Sequence, residues 1–229
     1  MLNLLIENFD DIFKAFMETN QMMLVSVILS LIISIPLGTL LFALNRDFLI
    51  KNKLAYQILS FILNTLRSVP FLLFIFILIP INRYLFGTSY GILAAILPLT
   101  LVTVSIYSRF VEQSYTNISE DIIDLAISMG ATKFQIIYYY LFPSITNDLI
   151  LSFTSVVIST LSYSTVMGVI GAGGLGDYAF RYGYQEYNYP LMYLIIIIFI
   201  IYVFIIQSIG YFLARKFSNY KEKNKWKRN

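Results

Sequence analysis

The 229-residue chain is 58% hydrophobic and only 13% charged, carries a formal net charge of +3, and contains neither cysteine nor histidine. A soluble domain usually has about 25% charged residues, so this composition, with a mean hydropathy of +0.74, excludes an ordinary soluble enzyme. The missing cysteine rules out disulfides, and the missing histidine removes the commonest metal ligand and near-neutral proton carrier; no metal site is expected.

Residues 1–20 lack a basic stretch followed by an apolar core, since Glu7, Asp10, Asp11 and Glu18 outnumber Lys14. They read as a short amphipathic segment at the membrane interface rather than a cleaved signal. Five apolar blocks then approach or exceed the about 20 residues a spanning helix needs: 22–44, 54–80, 91–108, 149–170 and 190–214. The polar run Asn64-Thr65-Leu66-Arg67-Ser68 interrupts the second block. The expected fold is all-α, one polytopic domain over residues 1–229 with five transmembrane helices. Arg67 is the one basic residue inside a predicted span, and its mid-span position points it to the interior of an assembly or to a headgroup.

Between the third and fourth spans, residues 113–148 are too long and too structured for a simple connection. Glu120, Asp121 and Asp124 suit the first turn of a helix with Ser119 as its N-cap. Leu125, Met129, Ile136, Ile137 and Tyr140 supply an apolar face on either side of Gly130-Ala131-Thr132. Gly130 allows a tight bend, and Pro143 is expected to end the second short helix or redirect it into the next span. Periodicity leaves two readings open, an interfacial hairpin that only links two spans or a docking element.

The fourth span is rich in hydroxyls, including Ser152, Ser155, Ser159, Thr160, Ser162 and Ser164. Such residues let helices approach closely, so packing is their first explanation. Tyr163, Ser164 and Met167 are candidates for lining or gating a path, the methionine because its thioether adapts to an irregular apolar surface. Gly171-x-Gly173-x2-Gly176 matches the dinucleotide fingerprint by letter. That fingerprint needs a preceding buried strand, whereas here an apolar helix precedes it, so an irregular turn is expected. The following segment, 177–189, is dense in tyrosine and reads either as an interfacial aromatic belt or as a contact surface.

Lys and Arg collect on one side: Arg46, Lys51 and Lys53, Arg109 and Lys133, and the tail 215–229. Lys14, Arg83 and Arg181 fall on the other. The positive-inside rule then predicts an N-terminus outside, and a C-terminus and 113–148 loop in the cytosol. The basic tail reads as a headgroup anchor, not a nucleic-acid site.

Asp124-x-Ala126-x3-Gly130, closed by Pro143, resembles the cytoplasmic coupling loop of the inner-membrane permeases of ABC importers. Asp124 stands where that family usually has Glu, and Leu125 where it usually has Ala. Arg67-Ser68-Val69-Pro70-Phe71, Gly87-Thr88-Ser89, Ala94-Ala95-Ile96-x-Pro98, Met129-Gly130-Ala131-Thr132 with Gln135-Ile136, and Gly171-Ala172-Gly173-Gly174-Leu175-Gly176 with Tyr182-Gly183-Tyr184 are similar, in matching order, to the permeases of methionine importers. The resemblance implies an ATPase-docking set of Asp124, Ala126, Met129, Gly130, Ala131, Gln135, Ile136 and Pro143. It also implies a path or gate near Arg67, Ser68, Pro70, Tyr163, Ser164 and Met167, and binding-protein contacts at Arg181, Tyr184 and Glu186.

The implied assembly is a homodimer in the bacterial inner membrane with two ABC ATPase subunits and an extracytoplasmic substrate-binding protein or lipoprotein. ATP and magnesium would be held by the ATPase. No Gly is followed by Lys in this chain, so it has no P-loop. The alternative is a stand-alone carrier driven by an ion gradient. Such carriers usually place carboxylates or histidines inside spans; apart from Glu112 at a span edge there are none. No nucleophile–base set suggests an intramembrane enzyme.

Overall fold

In the computed structural model, the structure describes the backbone of residues 2–226 and the side chains of residues 5–217, and every regular element among them is helical. In chain order these are α1 (Leu2–Glu7), α2 (Phe9–Asn45), α3 (Lys53–Ser68), α4 (Phe71–Phe86), α5 (Gly91–Thr116), α6 (Glu120–Ser128), α7 (Lys133–Gln135), α8 (Phe142–Met167), α9 (Gly174–Tyr178) and α10 (Tyr189–Trp226). Wider π-helical turns at Ile136–Leu141, Gly168–Ala172 and Ala179–Gln185 join or extend them.

The directions of the crossings follow from contacts between helices. Ser26 donates to the Ile96 carbonyl and Ser34 to the Val104 carbonyl, a constant offset that makes α2 and α5 run parallel. A Cβ on Gly38 would come within 2.5 Å of the Ser108 carbonyl oxygen, so the same seam stays close at its far end. Two parallel helices in sequence require a return crossing between them, supplied by α3 and α4. Tyr107 reaches the Leu149 carbonyl while Thr103 meets Thr160 at 2.9 Å, so α8 runs antiparallel to α5. Tyr202 bonds Asn20, and Leu191, Leu194 and Ile195 pack with Ile12 and Ala15, so α10 runs parallel to α2. Five crossings therefore leave the start of α2 and the end of α10 on opposite faces, called here the N-terminal and C-terminal faces.

Three expectations are corrected. The second span, 54–80, is not one helix: α3 and α4 meet at a bend of 110°. Pro70 supplies it, because proline lacks an N–H and forces the preceding residue out of helical geometry; Val69 is extended at φ −78°, ψ 128°. The amphipathic segment 1–20 is no separate interfacial helix, because α2 is continuous from Phe9. Its 37 residues at about 1.5 Å each outreach a hydrocarbon core of about 30 Å. The excess lies at the N-terminal face, where Ile12 and Ala15 are buried against Leu175, Tyr178 and Leu191. Finally, helix begins and ends differently around the 113–148 loop, with α5 reaching Thr116 and α8 starting at Phe142.

The basic tail 215–229 is less open to description. Arg215 and Lys216 are exposed on α10, whose backbone continues as helix to Trp226. The side chains of Lys221, Lys223 and Lys225, and Lys227 and Arg228 altogether, lie outside the described residues.

Candidate functional site

Two helix signals meet in the loop at the C-terminal face. α6 ends in a left-handed cap: Gly130 has φ +72°, its N–H donates to the Ile127 carbonyl at 2.9 Å, and the Ala131 N–H donates to the Ala126 carbonyl at 3.1 Å. That pair of reversed bonds closes the carbonyls a helix end leaves open. Two residues later the chain starts again through a capping box. The Thr132 hydroxyl accepts from the Gln135 N–H, and the Gln135 side-chain oxygen accepts from the Thr132 N–H at 2.8 Å. Ser119 occupies the N-cap position of α6, but no side-chain bond completes the cap.

The loop is seated on the bundle by Ile123, Ala126, Ile136 and Leu141, which join Phe42, Tyr107, Val111 and Tyr115 in one core. Lys133 also donates its ammonium to the Leu49 carbonyl in the turn after α2. Ala126 and Ile136 are thus corrected from contact residues to anchors; Ala126 is fully buried. The predicted apolar face is corrected too. Leu125 is 57% and Met129 67% exposed, one turn apart at the end of α6, and the outward apolar patch of this loop continues past the bend in Phe134 at 72% exposed with the Tyr138 ring stacked on it. Asp124, Gly130, Gln135 and Pro143 are exposed around this patch and Ala131 is half-buried. Pro143 neither ends nor breaks the helix. The helix runs on from Lys133 through Pro143 to Met167, and the π-helical turn at Ile136–Leu141 absorbs the N–H that proline lacks.

A second site lies at the bend between α3 and α4. Arg67, Val69, Pro70, Phe71, Val102, Ile106 and Tyr163 line a cleft of about 300 Å³, with the Phe71 and Tyr163 rings 4.7 Å apart. Arg67, Ser68 and Pro70 are exposed and Tyr163 is half-buried. Ser164 and Met167 do not line this cleft. The Ser164 hydroxyl is buried on the Leu161 carbonyl at 2.7 Å, and Met167 packs among Met22, Ile75, Ala95 and Leu99. Both are corrected from path candidates to packing residues, because each is only 3% exposed; Met167 stands one turn beyond Tyr163 on the same face, inside the cluster that Phe71 and Tyr163 cover. Below the cleft, Arg109 donates to Glu112 at 2.6 Å and to the Ser60 carbonyl and Asn64 side chain at 3.0 Å each. This clamp fastens α3 to α5 and was not singled out from sequence. Nor was Asp148, which shares a further cleft of about 300 Å³ with Gln113, Asn117, Ser152 and Ser155.

At the N-terminal face the glycine-rich stretch is a turn with Gly171, Gly173 and Gly174 all at positive φ. The helix it starts is held by α2: Glu18 accepts from the Gly174 N–H at 2.8 Å and Thr19 from the Leu175 N–H at 2.9 Å. The expected loop 177–189 is helical as far as Gln185. Arg181, Tyr184 and Glu186 are exposed on it, with Arg181 paired to Asp177 at 2.7 Å and Tyr184 stacked on Phe180. Among the described residues no group of acidic side chains could hold a metal ion.

A helical bundle with four helices long and apolar enough to cross a membrane and a fifth, bent pair beside them, a cleft at that bend and an exposed apolar loop on one face, has the build of a multi-pass transport component. The chain belongs to the binding-protein-dependent transport system inner membrane components, whose family model matches residues 34–219. It is 34% identical to the probable D-methionine transport system permease protein MetI of Vibrio cholerae, over 91% of this chain and 93% of that one. It is also 34% identical to the methionine import system permease protein MetP of Bacillus subtilis, over 75% and 77% of the two chains. Among solved structures, an inward-facing MetNI methionine ABC transporter superposes with a TM-score of 0.87 at 34% identity, covering 90% of this chain and 95% of that one.

Proposed function

We propose that this chain is the permease subunit of a methionine ABC importer, working as a homodimer on two separate ATPase subunits that bind ATP and magnesium. The observation that carries this reading is the agreement, over nine-tenths of the chain, with the methionine transporter of known structure. The exposed patch of Leu125, Met129, Phe134 and Tyr138, with Asp124 beside it, is the ATPase-docking surface, and Gly130 and Gln135 hold its shape. The cleft at Arg67, Pro70 and Tyr163 lies on the translocation path. The distribution of Lys and Arg supports a cytosolic C-terminal face and an extracytoplasmic N-terminal face, where Arg181, Tyr184 and Glu186 meet the binding protein.

Co-purification with the ATPase tests the coupling role. A Cβ on Gly130 would meet nothing within 4 Å, so Gly130→Arg leaves the bundle intact while distorting the loop. Wild type should retain the ATPase at one to one and import labelled methionine on ATP addition; Gly130→Arg should insert normally and lose both. A wild type that binds no ATPase refutes the reading.

A further inference from the structure

Every crossing helix but one passes the bilayer without a sharp break, and the exception carries the cleft. α3 ends at Ser68 and α4 begins at Phe71, while the opposite walls, Val102, Ile106 and Tyr163, belong to α5 and α8. The bend therefore sits within the crossing region. Two positive features converge there. Arg67, in the last turn of α3, is exposed, lines the cleft, and joins no ion pair among the described residues. A guanidinium at that depth calls for a partner. The N-terminus of α4 faces the same break, and Pro70 at its N-cap offers no side chain to cap it. The first N–H groups of α4 thus lack acceptors within the helix, at the positive end of its dipole. Broken helices of transporters present such ends to anionic groups of their cargo.

The remaining wall is apolar or aromatic, from Val69, Phe71, Val102, Ile106 and Tyr163, and no carboxylate lines the cleft. At about 300 Å³ it is at the small end of ligand clefts, roughly 300–1,000 Å³, which suits a single small molecule. We propose that it is a carboxylate subsite: it takes an amino acid by its α-carboxylate, on Arg67 and the amide N–H groups that open α4. The unbranched apolar side chain lies against Phe71 and Tyr163. The inference rests on the importer reading above and adds what the path recognises. With no acid in the wall, the ammonium is not read. A free carboxylate is essential and a free amine is dispensable.

The test uses the transporter assembled with its ATPase subunits in lipid nanodiscs, without the binding protein, and photo-methionine as the probe. Labelling should map to the segments around Phe71 and Tyr163. Methionine and N-acetylmethionine should compete with it, and methioninamide should not. Losing a charge-assisted bond of this kind lowers occupancy roughly 10- to 100-fold, so Arg67→Gln should reduce labelling by that factor and Arg67→Lys by less. Equal competition by methioninamide, or undiminished labelling of Arg67→Gln, overturns the subsite. If that variant does not assemble, the competition pattern on wild type decides alone. ATP-driven methionine uptake by wild-type proteoliposomes supplied with the binding protein separates the two claims. Uptake without cleft labelling overturns the subsite and leaves the importer reading standing; no uptake overturns both.

Discussion

Arg109 offers a quantitative test of how the broken crossing is held. Its side chain and that of Glu112 are only 15% and 12% exposed, so Arg109→Met strands a carboxylate in a poorly solvated place. Breaking a buried pair from one side costs about 3–5 kcal/mol, and Glu112→Leu should fall in the same range. Arg109→Met/Glu112→Leu removes both charges together. What it still loses is the pair of bonds to Ser60 and Asn64, at about 1.5–3 kcal/mol each because the donor is charged, so its total should be about 3–6 kcal/mol, below the roughly 6–10 kcal/mol sum of the two single losses. For a chain of this size 1 kcal/mol corresponds to about 2–4 °C in Tm. The single variants should therefore melt about 6–20 °C below wild type and the double variant about 6–24 °C below, against about 12–40 °C for the sum of the singles, measured by thermal loss of the monodisperse complex in detergent. The reasoning is refuted if the double variant loses the sum of the two single losses. Methionine uptake should stay impaired in the double variant although it loses less stability than the two single changes summed, because α3, and with it Arg67, is no longer fastened to α5.

Three further outcomes follow from local geometry. At Gly130 the left-handed conformation and the open space around it predict that Gly130→Ala costs about 1–2 kcal/mol locally; Gly130→Asn should cost less, read as ATPase retained on co-purification. Gly38→Ala would drive a Cβ to 2.5 Å from the Ser108 carbonyl oxygen and the Val111 Cβ, and overpacking of about 1–3 kcal/mol should appear as lost folded yield in fluorescence-detected chromatography. Glu18→Ala should raise hydrogen exchange at Gly174 and Leu175, while Glu18→Gln, which keeps an acceptor for the Gly174 N–H, should change it little.

The polytopic helical build was legible because apolar blocks of spanning length are a strong signal, and Gly130 was legible as a bend because its neighbours are helical on both sides. The break at Val69 and Pro70 was half visible: the polar run at Asn64–Ser68 marked it, but composition could not separate a weak span from a bent one. Burial was harder to read in α6. Leu125 and Ala126 are adjacent, and hydrophobicity alone assigns the leucine inward, whereas α6 turns Ile123 and Ala126 to the core and leaves Leu125 outward. Ser164 and Met167 failed similarly, since hydroxyl-rich helices use the same residues for packing and for lining. The seam Ser26, Ser30, Ser34 and Gly38 was missed outright. Its signal is a small residue at every fourth position of an otherwise large apolar span.

That seam also has a history in the making of the molecule. Ser26 finds its acceptor at Ile96 and Ser34 at Val104, each 70 residues further along the chain. At about 5–20 residues synthesised per second, the first helix waits roughly 4–14 s in the membrane before its mate is complete, and α3 and α4 must cross in the interval. A serine whose hydroxyl turns back to its own backbone, as Ser30 does to the Val27 carbonyl at 2.8 Å, is provided for throughout that wait. Single hydroxyls suit such a pause, since a larger amide or a charge would have lacked a partner for seconds and favoured escape from the bilayer.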